Sequence, residues 1–364
     1  MQKFYFLFVF LFLSSYNVFA QFHTLKMPQS SNEVYEQQTI GVTDIKVHYH
    51  SPAVRGRNVW NNQNVIPQNG SPIPWRAGAN MNTTISFSTD VKINGQDLPK
   101  GKYGFHIIPN GNNHTLLFAH NNNLWGSYYL DVDQDVSLKV EVQDTVCTFS
   151  EKLDFEFLPH DRDKIVVALE WADKRIPFTV SVDLKNTVVT SLRSELRGEN
   201  TYRWQAWNDA ANWCYNNDTN LEEALEWATR SIEGGYNGFG ADKNMQNITT
   251  KTKLLKKLNR EEESEKLWAE VLEMNYEAQE SNSFMVYLLR DKEYKKAVMF
   301  GENTIEKFPN VWFVQLNTGI AYYFNGDKED ALKAIEKSIE LAPENFKGRI
   351  GEIAKEVEAG TFKL

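Results

Sequence analysis

The sequence predicts an α+β protein of two domains, an antiparallel β-sandwich or barrel followed by an α-helical repeat solenoid. The chain has 364 residues, enough for two domains of ordinary size. From 39 to 185, apolar and polar residues alternate in short runs, whereas from about 186 apolar residues recur every three or four positions. Because strands and helices need different hydrophobic periods, the change near 186 predicts a domain boundary.

The composition restricts the partners that this chain can have. Basic residues number 39 and acidic residues 48, which gives a formal charge of −9, and no basic stripe stands out. Nucleic acid is therefore not expected as a partner.

Cys147 and Cys214 are the two cysteines, and we expect either two free thiols or an interdomain bridge.

The first twenty residues have the features of a cleavable export signal. Lys3 supplies a basic start, and residues 4–13 are apolar but too few to span a bilayer. Residues 18–20 (VFA) form a small-x-small cleavage site, so the mature chain is expected to begin at Gln21 and to be periplasmic or secreted. The expected segments are a signal peptide at 1–20, an N-terminal extension at 21–38, a β domain at 39–185, a linker at 186–202 and a helical domain at 203–364.

The β domain is predicted from several short strands with turn residues between them. Ile45, Val47 and Tyr49 alternate with polar residues, and Asn94-Gly95 is a strong hairpin signal. This density of strands and turns is typical of an antiparallel sandwich or barrel. Further strands are expected at 85–88, 103–108, 115–119, 136–142, 146–157, 164–171 and 176–184.

Three runs in this half are similar to the bacterial domain-of-unknown-function family 2911. They are SPAVRGRNVW, PWRAGANMNTTISFSTDVKINGQDLPKGKYGFHIIPN and LWGSYYLDVDQDVSLKVEV, in that order. The resemblance covers about 40 to 185, and it departs from the family pattern between Arg57 and Trp75, where residues 61–64 interrupt. It implies a secreted β domain and no agreed biochemical role.

The helical half contains an internal period. Ala297 and Ala331 are 34 residues apart, and so are Pro309 and Pro343. About four helical pairs are expected, followed by a polar capping helix at 344–358. The fullest copy resembles a tetratricopeptide repeat at Gly319, Tyr322, Ala331 and Pro343.

A group of loop residues in the β domain is the candidate ligand site. An indole offers a stacking face, a guanidinium offers a bidentate fork, and an amide both donates and accepts, which suits an anionic or sugar-like ligand. The alternative is structural: the indole closes the end of the sandwich, while the other groups satisfy turns. The candidate residues are Arg55, Arg57, Trp75, Arg76 and Asn80.

Two histidines on one predicted strand are the candidate metal ligands. His48 and His50 project to one face of a strand, and His106 or His120 would be the third ligand of a zinc-like site. The alternative is an exposed polar face. The chain contains no Gly-x-Ser-x-Gly, Cys-x-x-Cys or His-Glu-x-x-His motif, so no catalytic residue, metal or cofactor is expected.

The tetratricopeptide resemblance implies an inner groove that binds a protein or peptide. The expected function is an exported, non-enzymatic binding protein without a membrane span. The alternatives are a sugar- or anion-binding module and an unrecognised metal-dependent hydrolase. For Phe313 and Phe324, packing against the C-terminal helix or the β domain is an alternative role. The groove residues placed by the repeat register are Trp213, Asn282, Arg290, Phe313, Tyr323 and Phe324.

Overall fold

The structure is a computed structural model that describes residues 28–60, 62, 64–66, 73–159 and 161–364. The expected signal peptide lies outside the described residues. Residues 21–27 of the expected N-terminal extension do too, and within its described part a strand begins at Asn32. In chain order, the β-strands are β1 (Asn32–Ile40), β2 (Thr43–Ser51), β3 (Thr83–Phe87), β4 (Val91–Ile93), β5 (Gln96–Leu98), β6 (Gly101–Asn110), β7 (Asn113–Ala119), β8 (Val136–Gln143), β9 (Thr145–Leu158) and β10 (Lys164–Ser181).

These strands form two antiparallel sheets. One has the order β1-β2-β3-β6-β7-β8 and the other the order β5-β4-β10-β9. Each sheet has two edge strands, so the β half is an open sandwich, and the alternative of a closed barrel is excluded. The predicted fold class, β domain first and helical solenoid second, is confirmed.

The core lies between the two sheets and is rich in aromatic rings. Tyr49 from β2 packs on Phe155 from β9 with ring centroids 4.9 Å apart. Phe105 on β6 lies 5.7 Å from Phe178 on β10. Because side chains alternate along a strand, the residues next to these core positions point to the opposite face of their sheet.

Two strands differ from the sequence-based expectation. β1 begins in the stretch expected to be an N-terminal extension. The sequence did not predict this strand, because its side chains are mostly exposed and give little hydrophobic alternation. The two strands expected at 164–171 and 176–184 are one strand, β10. Its register against β9 shifts around Ala172, which has a positive φ of 54°. A bulge of this kind breaks the alternation without ending the strand.

The second half is helical. Within the described residues the helices are α1 (Leu184–Glu195), α2 (Trp204–Asn216), α3 (Leu221–Glu233), α4 (Met245–Lys257), α5 (Glu261–Glu273), α6 (Ala278–Arg290), α7 (Tyr294–Lys307), α8 (Trp312–Asn325), α9 (Lys328–Leu341) and α10 (Glu344–Ala359).

Helices α2 to α9 form four consecutive pairs, and α10 packs on α9 as the expected cap. Small residues allow the close approach within and between pairs. A Cβ added to Gly319 on α8 would lie 2.7 Å from the Ile335 side chain and 2.9 Å from the Ala331 carbonyl on α9. The first helices of the pairs also contact one another, α2 with α4, α4 with α6 and α6 with α8. We call these four helices the inner row, because helices that touch across repeats line the shorter side of a curved array.

The stretch expected as a polar linker is mostly ordered helix. Asp183 caps α1 by accepting a hydrogen bond from the Asn186 backbone N–H at 3.1 Å. Val189 and Leu196 are buried in the helical core, and Arg193 forms an ion pair with Glu223 at 2.6 Å. Helix α1 therefore belongs to the helical half, because it supplies apolar side chains that the periodicity alone did not assign.

Two further features concern the whole chain. No helix in the described ranges is long and apolar enough to cross a membrane. Cys147 and Cys214 are both free, so the interdomain bridge is not formed.

We propose that the domain boundary lies between Val182 and Leu184. Separate expression of the two fragments that meet at this boundary tests it. Residues 28–183 are expected to give a β circular-dichroism spectrum, and residues 184–364 a helical one. A helical fragment that starts at 203 loses Val189 and Leu196, and we expect its free energy of unfolding to fall by about 2–5 kcal/mol. Urea denaturation measures this difference. Equal stability of the two helical fragments would place α1 outside the array.

Candidate functional site

Two loops cover the face of the six-stranded sheet that points away from the core. They are segments 73–82 and 120–135, and we call them together the loop layer. Asn82 and Leu124 join them: the Asn82 N–H donates to the Leu124 carbonyl at 2.9 Å, and the Leu124 N–H donates to Asn82 Oδ1 at 2.8 Å. A Cβ at Gly104 on β6 would lie 2.5 Å from the Asn121 carbonyl oxygen. The absence of a side chain at Gly104 lets the layer lie directly on the sheet.

A buried histidine lies beneath the loop layer. His106 is 0% exposed, and its Nδ1 lies 2.7 Å from Ser127 Oγ. Burial lowers the pKa of His106 to about 4, so the imidazole is neutral near pH 7. His106 Nε2 and the hydroxyl of Thr84 are buried without a hydrogen-bond partner among the described residues. Unpaired buried polar atoms of this kind require an explanation, and functional sites are one of the usual ones.

Arg76 emerges from the loop layer beside exposed aromatic rings. Its Nη1 donates to the Asn80 carbonyl at 2.6 Å, and its guanidinium carbon lies 6.0 Å from the ring centroid of Trp125. Burial lowers the pKa of Arg76. Trp125 is 61% exposed and Tyr128 is 76% exposed. The layer thus presents one half-buried cation next to two accessible aromatic faces.

Trp75 has the structural role that the sequence offered beside the ligand-stacking one. It is 3% exposed and packs in the core, 5.8 Å from Trp171 in a stacked arrangement and 6.0 Å from Trp60 edge-on. The indole therefore has no face left for a ligand, because strand alternation turns Trp75 inward and Arg76 outward.

The other candidates of this group divide between two places. Asn80 lies beside Arg76 in the loop layer, has a positive φ of 58° and donates to Gln29 Oε1 at 2.6 Å. Arg57 belongs to a separate turn, where its Nε donates to the Val54 carbonyl at 2.9 Å. Arg55 lies in that same turn, and its backbone N–H donates to Glu151 Oε1 at 2.8 Å. The five residues do not form one site.

The histidines on β2 have local partners. His48 Nε2 lies 2.9 Å from Glu33 Oε1, and the ring stacks on Tyr35 at 4.1 Å. His50 is buried, with its ring centroid 6.0 Å from that of His48. In the part of the chain that the structure describes, no group of three histidine, cysteine or acidic side chains could hold a metal ion.

The groove residues from the repeat register lie in two environments. Trp213 is half-buried against the helical core, and Asn282 Oδ1 accepts a hydrogen bond from Asn317 Nδ2 at 2.6 Å. Arg290 is exposed. Of these three residues, Arg290 is therefore the one whose side chain is open to a partner.

The last repeat is partly covered by the chain itself. Phe362, which follows α10, lies 6.1 Å from Tyr323 and 6.0 Å from Phe324. Phe324 also stacks on Tyr294 at 5.4 Å. Phe313 lies 5.7 Å from Trp312, which in turn stacks on Phe346 of α10. These aromatic residues therefore pack mainly within the protein. For Phe324, the contact with Phe362 agrees with the alternative role expected from the sequence, which was packing near the C-terminal helix.

Sequence reasoning missed two sets of functional candidates. Trp125, Ser127 and Tyr128 stand in the LWGSYYL run, where two aromatic residues adjoin a Gly-Ser turn, and this signal was available. Lys253 on α4 had no such signal. Its Nζ lies 5.8 Å from the ring centroid of Tyr215 and 5.7 Å from that of Tyr287, a contact between three helices that no local pattern reports.

The β half of the chain matches the model of a known family. Residues 30–180 match the model of the family described as "Protein of unknown function (DUF2911)", which confirms the resemblance of the β half. No curated protein matches the chain.

Three solved structures are similar to the helical half, and the descriptions of two of them name tetratricopeptide repeats. MamA (41-end) from Desulfovibrio magneticus RS-1 has 18% identity, covers 43% of this chain and 88% of its own, and gives a TM-score of 0.27. YrrB, described as a TPR protein with an unusual peptide-binding site, has 17% identity over 47% of this chain and 83% of its own, with a TM-score of 0.30. A tetratricopeptide repeat protein from Parabacteroides merdae ATCC 43184 has 14% identity, 47% and 65% coverage, and a TM-score of 0.32. Because these identities and TM-scores are low, the solenoid assignment rests on the packing of the helices in this structure.

Trp75 and Trp125 give opposite expectations for stability. Trp75→Ala leaves a cavity beside Trp60 and Trp171, and we expect the free energy of unfolding of the β domain to fall by about 3–5 kcal/mol. Trp125→Ala removes an exposed ring and is expected to change it by less than about 0.5 kcal/mol. Denaturation followed by circular dichroism at a β-sheet wavelength measures both. A Trp75 variant as stable as the parent would contradict the core assignment.

Proposed function

We propose that the protein is an exported, non-enzymatic binding protein whose inner row takes an acidic segment of another protein. The observation that carries this proposal is a pair of cations in the centre of the row for which the described residues provide no ion pair. Neither Lys253 nor Arg290 lies in an ion pair or a side-chain hydrogen bond within the described residues. An acidic ligand would supply the missing counter-charge.

Lys253 is held in a setting that disfavours an isolated charge. Its ammonium group lies between the faces of Tyr215 and Tyr287. Burial, followed by the nearby charge of Arg290, lowers the pKa of Lys253, although the charge of Asp291, which pairs with Lys256, acts in the opposite direction. A cation–π contact offsets part of the lost hydration. A carboxylate placed between Lys253 and Arg290 would offset more, because charge-assisted hydrogen bonds are stronger than neutral ones.

The neighbouring cations do not compete for such a ligand. Lys256 pairs with Glu293 at 2.6 Å and with Asp291, and Lys257 pairs with Asp218 at 2.9 Å. Their charges are neutralised within the protein. Within the described part of the chain, Lys253 and Arg290 have no such carboxylate, which favours an acidic side chain or a chain terminus of a partner at that point.

Further along the row, polar groups suit an extended backbone. Asn282 on α6 and Asn317 on α8 bond to each other across two repeats. Asparagine amides carry two donors and an acceptor oxygen, so each retains capacity for the N–H and C=O groups of a bound segment. The charges of Lys253 and Arg290 would bind the acidic group, and the amides of Asn282 and Asn317 would bind the backbone beside it. Together they would fix the direction in which the bound segment runs along the row.

Charge reversal tests the acidic-segment proposal. Proteins captured from the native envelope fraction supply acidic segments, which are synthesised as labelled peptides for fluorescence anisotropy. We expect the Lys253→Glu/Arg290→Glu variant to bind at least about tenfold more weakly, and binding by the parent to weaken with salt.

The matched control is Lys295→Glu, an exposed lysine on the second helix α7. It carries the same kind of charge change away from the inner row, and binding is expected to remain. The proposal is contradicted if the folded double variant binds as tightly as the parent, or if the control loses as much affinity.

Export is the second part of this proposal. It is supported by the basic start, the short apolar run and the VFA site in residues 1–20. N-terminal sequencing of protein from the periplasm or the medium is expected to begin at Gln21. Mature protein that retains residues 1–20, or that stays in the cytoplasm, would refute export.

A further inference from the structure

We propose that the loop layer of the β domain binds an acidic sugar, with Arg76 pairing with the carboxylate and Trp125 stacking on the ring. This site is separate from the inner row of the helical half. It differs from the loop group that the sequence indicated, because Trp75, Arg55 and Arg57 are not part of it.

The first support is the state of the Arg76 guanidinium. One of its amino groups donates to the Asn80 carbonyl, and within the described ranges the group has no acidic partner within ion-pair distance. Burial disfavours its charge. A planar carboxylate accepts two parallel hydrogen bonds from such a fork, so this ligand group matches both its geometry and its charge.

The second support is the exposed aromatic surface around it. Trp125 is 61% exposed, Tyr128 is 76% exposed and Tyr129 is 82% exposed, and all three lie within five residues. Large aromatic faces left in water, grouped and rimmed by polar atoms, mark interaction sites. An indole face beside a cation suits a ring with an apolar C–H face and a single acidic group.

The turn between these aromatic residues is built to hold them close to Arg76. Gly126 has a φ of +74°, and a Cβ there would lie 2.8 Å from the Tyr128 ring and 3.3 Å from Arg76 Nη1. A side chain at this position would force the tyrosine and the guanidinium apart. The glycine therefore keeps the aromatic face and the cation within reach of one small ligand.

The third support is an oriented hydroxyl. Ser127 is partly exposed, and its Oγ lies 2.7 Å from Nδ1 of the fully buried His106. Because His106 cannot turn without losing its packing, the Ser127 hydroxyl is held in one direction and can bond a ligand hydroxyl. His106 Nε2 and Thr84 Oγ1 remain unpaired on the same face of the sheet, below the layer.

Charge decides between a singly acidic sugar and a polyanion. Arg76 is the only lysine or arginine in segments 73–82 and 120–135, whereas Asp131, Asp133 and Asp135 stand in the second of them. A nucleotide or a phosphorylated chain would bring several negative charges to segments that carry one cation and three carboxylates, of which Asp133 has Lys139 within 3.8 Å. A ligand with one carboxylate per ring avoids most of this repulsion.

Isothermal titration with uronic acid trisaccharides tests the proposal. The probes are trimers of galacturonate, glucuronate and mannuronate, each with its methyl ester as a neutral counterpart, and the full chain is used. We expect at least one acid trimer to bind, and its ester to bind at least about tenfold more weakly. This comparison needs no mutation, so it holds even if a variant misfolds.

Variants then assign the contacts. Arg76→Gln is expected to lower affinity for the acid trimer at least about tenfold and to remove the preference over the ester, and Trp125→Ala is expected to weaken both. The matched controls are Arg55→Gln, an exposed arginine in the separate turn, and Phe149→Ala, which is 60% exposed on the other sheet. Both are expected to bind like the parent.

Three results would overturn the proposal. The first is that none of the acid trimers binds in the millimolar range, which would leave the aromatic faces as a protein-docking surface. The second is equal affinity for acid and ester. The third is a loss of affinity in the controls that matches the loss in Arg76→Gln.

Discussion

Trp75 and Ile107 exchange two backbone hydrogen bonds of 2.8 Å, and this short bridge ties the first segment of the loop layer to β6. The Trp75 indole is thereby inserted into the core against Trp171 from the opposite sheet. Because consecutive side chains point to opposite sides of an extended backbone, burying Trp75 places Arg76 above the sheet. The position of the accessible guanidinium thus depends on how one tryptophan is buried.

Unpaired cations distinguish both candidate sites in a chain of net charge −9. In the described helical half, many lysine and arginine side chains meet a carboxylate, for example Lys243 with Glu270 and Lys296 with Glu265. Arg76 and Lys253 are partly buried without such a partner, and burial disfavours the charge of each. Removing a charge from water without a counter-ion is costly, so these positions indicate where a ligand would contribute most.

The two sites differ in how their surroundings are built. At the loop layer, Gly104 on β6 lets the layer approach the sheet backbone, and Gly126 lets the Tyr128 ring and the Arg76 guanidinium approach each other. In the inner row, Lys253 depends on Tyr215 and Tyr287 from the neighbouring repeats. The last repeat is different again, because Phe362 packs on Tyr323 and Phe324. A partner in the inner row would therefore meet the exposed Arg290 near the centre of the row and an end already in contact with the chain's own residues.

The sequence by itself determined the fold class, the order of the two halves, the paired helices and the last cap, because hydrophobic periodicity and a 34-residue repeat are local properties of a chain. It also pointed to Arg76, Asn80 and Arg290. Only the tertiary structure decided between the structural and the ligand-binding role of Trp75, placed Arg55 and Arg57 in another turn, and joined α1 to the helical core. It likewise brought His106 to Ser127 and Lys253 between two tyrosines. The physical reason is that periodicity reports which side of an element is apolar. Which loops meet, and which cations find a carboxylate, depends on contacts between residues far apart in the chain.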